Sequence, residues 1–391
     1  MTVFASLPIK DKDALASVRD LLAKLLEKEI VDGVLVPVEH HSGSIPHPAL
    51  VTDAGQMALA NPLVPMMLIN AARMVKLLLT RPEEDKAGEE PERRVAVVMR
   101  PCELRALIEL AKLQQVDPAQ ILTVGIDCVG TYELDDFKAA QEKEQAEATL
   151  AMALKAAQEG KAEAPGEIGY RHACSICVTP VAWNADISLH TIGVDNASQL
   201  LVELADEPMV EKLELAAGAD PAPHQQAVEA LIGTREARRK EDLDAFAELM
   251  KVDEQGTPGL IAAFQDCQRC HNCTVVCPVC YCKECLFRTD TVLYEPERYF
   301  GWAQRKGAAR LPGDTVAFQM TRLSHVSTAC VGCGMCTSGC PSKLPVDTLF
   351  QVVARETQGL LEYVPGRSLE EKSPRTTFRQ DEFVKLGRED H

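Results

Sequence analysis

Eleven of the chain's fifteen cysteines fall between residues 267 and 340, and eight of them spell one pattern twice, C-x2-C-x2-C-x3-C-P. The first copy is Cys267, Cys270, Cys273, Cys277 and Pro278; the second is Cys330, Cys333, Cys336, Cys340 and Pro341. In such a run three closely spaced thiolates grip three irons of one [4Fe-4S] cubane, while the cysteine before the proline ligates the neighbouring cubane. The expected ligand sets are therefore Cys267, Cys270, Cys273 and Cys340 for cluster 1, and Cys330, Cys333, Cys336 and Cys277 for cluster 2. Zinc is the competing occupant, but zinc modules draw their cysteines from two separated pairs rather than from runs of four. A segment built this way must fold around its inorganic core, and electron transfer is the chemistry it implies.

The rest of the chain supplies ordinary folding material. With 391 residues and 46% apolar content, two or three domains can each bury a core. The formal charge of −17 is spread along the sequence with no basic stripe, which argues against nucleic-acid binding. The N-terminal segment has no apolar stretch of signal-peptide length. The longest apolar stretch, Pro65 to Leu79, is interrupted by Asn70, Arg73 and Lys76, so no membrane insertion is expected. A cytoplasmic protein is the resulting expectation. Fifteen cysteines in a reducing compartment point to metal or redox work rather than disulfides, and an anaerobic setting suits them.

Pattern along the first two hundred residues predicts an α/β domain with a parallel-sheet core. Residues 9–31 carry helical spacing, 33–38 read as a buried strand, and the loop holding His40 and His41 is expected to be a turn. Pro65 to Leu79 reads as a helix. The runs Arg94–Met99 and Ile121–Ile126 read as strands, the first leading directly into a helix that begins near Pro101. Strands alternating with helices imply a parallel sheet, and ligands of such sheets gather beyond the strand ends. Cys102 and Cys128 both stand at such ends.

Four cysteines outside the two runs, Cys102, Cys128, Cys174 and Cys177, can then meet at one sheet edge. A thiolate in the first turn of a helix, as at Cys102, is stabilised by the helix dipole and exposed N–H groups, which favours ligation. Chemistry alone leaves three occupants open: a [4Fe-4S] cluster (cluster 3), a zinc ion, or a dithiol at 174 and 177 beside two inert thiols. No G-x-G-x-x-G and no Walker-type loop is present.

Pro101-Cys102, the strand end Gly125-Ile126-Asp127-Cys128, and Cys174-Ser175-Ile176-Cys177 followed by Ala185-Asp186-Ile187-Ser188 together resemble the beta subunits of coenzyme F420-reducing hydrogenases and F420-dependent formate dehydrogenases, over residues 95–195. The resemblance implies a [4Fe-4S] cluster on Cys102, Cys128, Cys174 and Cys177, an FAD, and partner subunits in a redox complex. Where those subunits carry Gly-Thr-Pro-Cys-Gln this chain has Met99-Arg100-Pro101-Cys102-Glu103, and Leu189-His190-Thr191 replaces an x-Gly-Asp. Arg100 becomes the candidate flavin contact, through its pyrophosphate, with a plain salt bridge as the other reading. The C-terminal runs resemble the helical dicluster ferredoxins of heterodisulfide reductase and succinate dehydrogenase iron-sulfur subunits.

The expected organisation is an α/β domain over 1–205 with a helical insertion at about 132–165, a helical linker over 206–259, a mainly helical dicluster ferredoxin domain over 260–350, and a C-terminal extension over 351–391. The expected function is an iron-sulfur electron-transfer subunit, able to carry FAD, of a cytoplasmic anaerobic oxidoreductase complex of formate dehydrogenase, hydrogenase or heterodisulfide reductase type. The alternative is a flavin-free wiring and docking subunit without turnover of its own. Acidic surroundings are expected to lower the cluster potentials. Cys280, Cys282 and Cys285 read as reduced thiols packed beside a cluster.

Overall fold

The computed structural model describes residues 2–39, 45–79, 94–144, 146–251, 259–282, 284–292, 294–307 and 312–378. His40 and His41 lie outside them. The chain divides into two compact units, Met1–Arg239 with Gly366–Glu371, and Lys240–Pro365 with Lys372–His391.

The first unit is built on a mixed sheet of β1 (Val3–Pro8), β2 (Gly33–Val38), β3 (His47–Val51), β4 (Val95–Met99), β5 (Ile121–Ile126), β6 (Ile187–His190), β7 (Gln199–Leu204) and β8 (Ala216–Ala217). Their order is β3-β2-β4-β5-β6-β7-β1-β8. The centre, β2-β4-β5-β6, is parallel, and antiparallel strands flank it on both sides. All five residues of β4 are buried, as the continuous apolar run of a two-sided parallel strand requires. Helix α1 (Ala14–Glu27) starts at Asp13, whose carboxylate accepts the Ala16 N–H at 2.9 Å. Its Val18, Leu21, Leu22 and Leu25 recur at helical spacing and seal one sheet face against Val34, Val98 and Val124.

Helices α2 (Ala71–Leu79) and α3 (Pro101–Lys112) follow β3 and β4, and α4 (Leu134–Glu144) and α5 (Ala146–Gln158) pack on one another within residues 132–165. Short helices α6 (His172–Ser175) and α7 (Pro208–Lys212) precede the long α8 (Ala222–Leu249), which lies within the stretch expected as linker. The helix expected from Pro65 begins only at Ala71. Met66 is instead bridged in parallel to Tyr132, and the carbonyls of Val64 and Met66 are taken by Arg100, so these residues cannot start a helical ladder.

The second unit is helical: α9 (Gly259–Ala263), α10 (Asn272–Val275), α11 (Pro296–Lys306), α12 (Pro312–Val326), α13 (Met335–Ser338) and α14 (Val346–Leu360). The long stretch between the two cysteine runs holds α11 and α12 and has structure of its own. Tyr294 and Tyr299 meet Trp302 edge-on there at 5.2 and 5.5 Å, with Arg298 over Tyr294 at 4.1 Å.

Candidate iron-sulfur sites

In the first unit the parallel pairing of β4 with β5 sets Met99 beside Gly125. Cys102 and Cys128, each three residues further on, therefore leave the same edge of the sheet. Cys102 sits in the first turn of α3, whose Glu103 accepts the Arg100 N–H and the Ala71 N–H at 2.8 Å each. The Cys128 N–H donates to the Pro180 carbonyl at 2.8 Å, tying it to the chain just beyond Cys177. That chain lies so close to β5 that a Cβ on Gly125 would stand 2.4 Å from the Cβ of Ala182. Gly125→Ala is expected to destabilise the unit by about 2 kcal/mol, since so tight a core cannot absorb a methyl group without backbone movement. Thermal unfolding reads this directly, and an unshifted midpoint would contradict the packing.

Burial pushes the Cys128 thiol up to about 12, Arg100 opposes this, and Cys174 and Cys177 reinforce it, so these three thiols lie within one another's field. At Cys174 burial also acts to raise the pKa, but Arg171 and Thr131 outweigh it and lower it. The contacts are direct: Thr131 Oγ1 lies 3.4 Å and Arg171 Nη2 3.5 Å from the sulfur. Arg105 donates at 3.0 Å to Thr179 Oγ1, itself 3.6 Å from the Cys177 sulfur, and Arg235 donates to the Cys177 and Val129 carbonyls. Arg100, Arg105, Arg171 and Arg235 thus stand around the Cys128, Cys174 and Cys177 thiols. Only Arg100 stands out in the sequence, and its guanidinium donates to Val64 O at 2.5 Å and Met66 O at 3.0 Å and pairs with Glu103 at 3.6 Å. The salt-bridge reading describes it.

Behind Cys128, Asp127 accepts hydrogen bonds from His190 Nδ1 at 3.0 Å and from the N–H groups of Thr191 and Ile192. His190 Nε2 reaches Glu203 at 3.2 Å. Burial alone would lower the His190 pKa, but the Asp127 and Glu203 carboxylates raise it to about 9, so the ring is an imidazolium at neutral pH. His224 stacks on it at 4.2 Å, and its Nδ1 donates to the Ile192 carbonyl at 2.9 Å; burial and the His190 charge outweigh Asp127 and lower its pKa. Asp127, His190 and His224 offer ligand atoms all within 4.8 Å of one another, yet hydrogen bonds already engage each of them. Sequence reading misses this network because its members lie on β6, β7, the β5 end and α8.

In the second unit burial raises the Cys273 thiol to about 11, Arg322 opposes, and Cys267, Cys270 and Cys340 add to the rise. These are the four residues expected for cluster 1. Cys336 is pushed well up by burial, by Asp347, and by Cys333 and Cys277, with Arg322 again opposing. Cys277 thus acts on the second run and Cys340 on the first. Cys330 opens the second run, its carbonyl held by Gln358 Nε2 at 2.9 Å.

Both runs follow one backbone path. Gly332 and Gly334 take φ of 69° and 73°, and the corresponding Arg269 and His271 take 52° and 62°. Non-glycine residues enter this region at a cost of about 1 kcal/mol or more each. His271 and Gly334 each begin a short helix, α10 and α13. Arg322, from α12, donates to the Cys273 sulfur at 3.2 Å and to its carbonyl at 3.1 Å. Arginines thus face the Cys174 and Cys273 sulfurs directly, whereas at Cys336 the Asp347 carboxylate acts against Arg322.

Residues 92–213 match the family model for the C terminus of the beta subunit in coenzyme F420 hydrogenase/dehydrogenase. The chain is 24% identical over 371 residues to the F420-dependent formate dehydrogenase subunit beta of Methanocaldococcus jannaschii, covering 90% of this chain and 91% of the relative. It is 25% identical over 296 residues to the F420-dependent formate dehydrogenase 1 subunit beta of Methanococcus maripaludis, covering 70% and 73%. A chain of the F420-reducing [NiFe] hydrogenase complex from Methanosarcina barkeri aligns with a TM-score of 0.43 at 16% identity, over 62% of this chain and 92% of that one.

Proposed function

We propose that the chain is an iron-sulfur electron-transfer subunit of a cytoplasmic oxidoreductase complex of the F420-dependent formate dehydrogenase or hydrogenase type. The observation that carries this reading is the crossed grouping of Cys267, Cys270, Cys273 with Cys340 and of Cys333, Cys336 with Cys277. Cysteine sets of this kind hold [4Fe-4S] clusters, which supply one-electron chemistry when bound. In this reading Cys102, Cys128, Cys174 and Cys177 hold a third cluster. The chain's own contribution is to bury the thiolates, point arginines at them and so set the potentials. No helix among the described residues is long and apolar enough to cross a membrane.

Two forms of this subunit differ in the flavin. Arg100, the candidate FAD contact, directs its guanidinium to Val64 O, Met66 O and Glu103, which favours the flavin-free relay. One anaerobic preparation decides among the alternatives by counting iron, acid-labile sulfide, zinc and acid-released flavin per chain. The expected result is about four irons and four sulfides for each cluster, a dithionite-induced low-temperature magnetic resonance signal, and no stoichiometric FAD. Zinc with little sulfide would end the redox reading. Stoichiometric FAD would replace the flavin-free form with the flavin-bearing one.

A further inference from the structure

Three cysteines are left over once the two runs and the sheet-edge set have been filled. Cys280, Cys282 and Cys285 follow the first run directly, and all three are half-buried. They line one cavity together with Cys277, Leu286, Phe287 and His325. Cysteines that merely fill a core are packed against carbon; these instead border open space.

Their mutual placement is visible in the Cys280 thiol. Burial raises it to about 11, the thiols of Cys277, Cys282 and Cys285 raise it further, and Arg322 opposes them. The same cavity is lined by Arg322, whose guanidinium also opposes the rise at Cys273 and Cys336. The connecting loop is held in place: Arg375 donates to the Tyr281 hydroxyl at 2.5 Å and lies over its ring at 4.7 Å. A short turn then starts at Cys285, whose carbonyl accepts the Arg288 N–H at 2.8 Å.

We propose that Cys280, Cys282 and Cys285 hold a further [4Fe-4S] cluster, with His325 facing its fourth iron. The proposal rests on the iron-sulfur reading above, because Cys277 is thereby left to cluster 2. A cubane needs three thiolates spread around its faces, and a C-x-C-x2-C segment wrapped over a cavity offers them. The arrangement gives every cysteine of the chain an iron to bind. It also makes this site chemically distinct, because one iron depends on an exposed imidazole or an outside ligand.

The test compares the full chain with the triple variant C280S/C282S/C285S, both prepared anaerobically. The wild type is expected to carry about sixteen irons and sixteen sulfides, and the variant to lose about four of each. Equal counts in the two, at about twelve, overturn the inference and leave the relay intact. Near-zero sulfide in the wild type overturns the relay itself. Loss of zinc in place of iron overturns the cluster assignment. Should the variant not fold, mapping iodoacetamide labelling of the native wild type by peptide mass decides instead. Protection of all three residues supports the site, and labelling at Cys280, Cys282 and Cys285 alone rejects it.

Discussion

Replacing Arg322 by glutamine is expected to lower the reduction potential of the clusters in the second unit by on the order of 100 mV. A unit positive charge about 6 Å from a cluster contributes roughly 3 kcal/mol at an effective dielectric of about 20, and that energy converts to about 120 mV for one electron. The reduced cluster carries one more negative charge, so the cation favours it, and its loss disfavours reduction. Arg322 also gives its N–H to the Cys273 sulfur at 3.2 Å, so the cluster on Cys273 is expected to move most. Asp347 acts on Cys336 in the opposite sense, and Asp347→Asn is expected to raise the potential of the other cluster. Redox titration followed by magnetic resonance reads both shifts. Unchanged midpoints in the two variants would mean that these charges do not face the irons.

His190→Phe is expected to cost about 3–5 kcal/mol, the range for removing one partner of a buried ion pair. The variant leaves Asp127 charged, held by the Thr191 and Ile192 N–H groups without the imidazolium, and leaves Glu203 without its ring partner. A loss of that size lowers the melting midpoint by roughly 10 °C or more for a unit of this size. The pH dependence carries the same signature. The His190 pKa rises from its ordinary 6.5 to about 9 on folding, so its contribution is complete below pH 6.5 and is lost as pH climbs through about 9. Melting followed from pH 6 to pH 10 should show this alkaline decline in the wild type and not in His190→Phe. A parallel decline in both would assign it to another group.

Much of this is legible in the sequence. β-branched runs mark β2, β4 and β5, and the α/β alternation puts Cys102 and Cys128 at one edge on pattern alone. The antiparallel strands β1, β3 and β7 are hidden because short strands are defined by pairing, not by composition: β7 joins β6 on one side and β1 on the other. The apolar stretch after Pro65 has helical content but gives the Val64 and Met66 carbonyls to Arg100, a tertiary event with no local sign. Arg171, Arg105, Arg235 and Arg322 are invisible as site residues for the same reason. An arginine in sequence looks like surface charge until the fold shows which sulfur it faces.

The shared backbone path of the two cysteine runs makes their tolerance to substitution unequal. At 332 and 334 glycine already occupies a left-handed conformation, so almost any replacement there meets resistance. At 269 and 271 arginine and histidine bear the same conformation, held by the Arg269 ion pair with Asp314 at 3.4 Å and by the stacking of His271 on Phe318 at 4.9 Å. Genetic drift in one run is therefore buffered by side-chain anchors, whereas the other is locked by the absence of any side chain, and saturation mutagenesis should find the second run the more brittle.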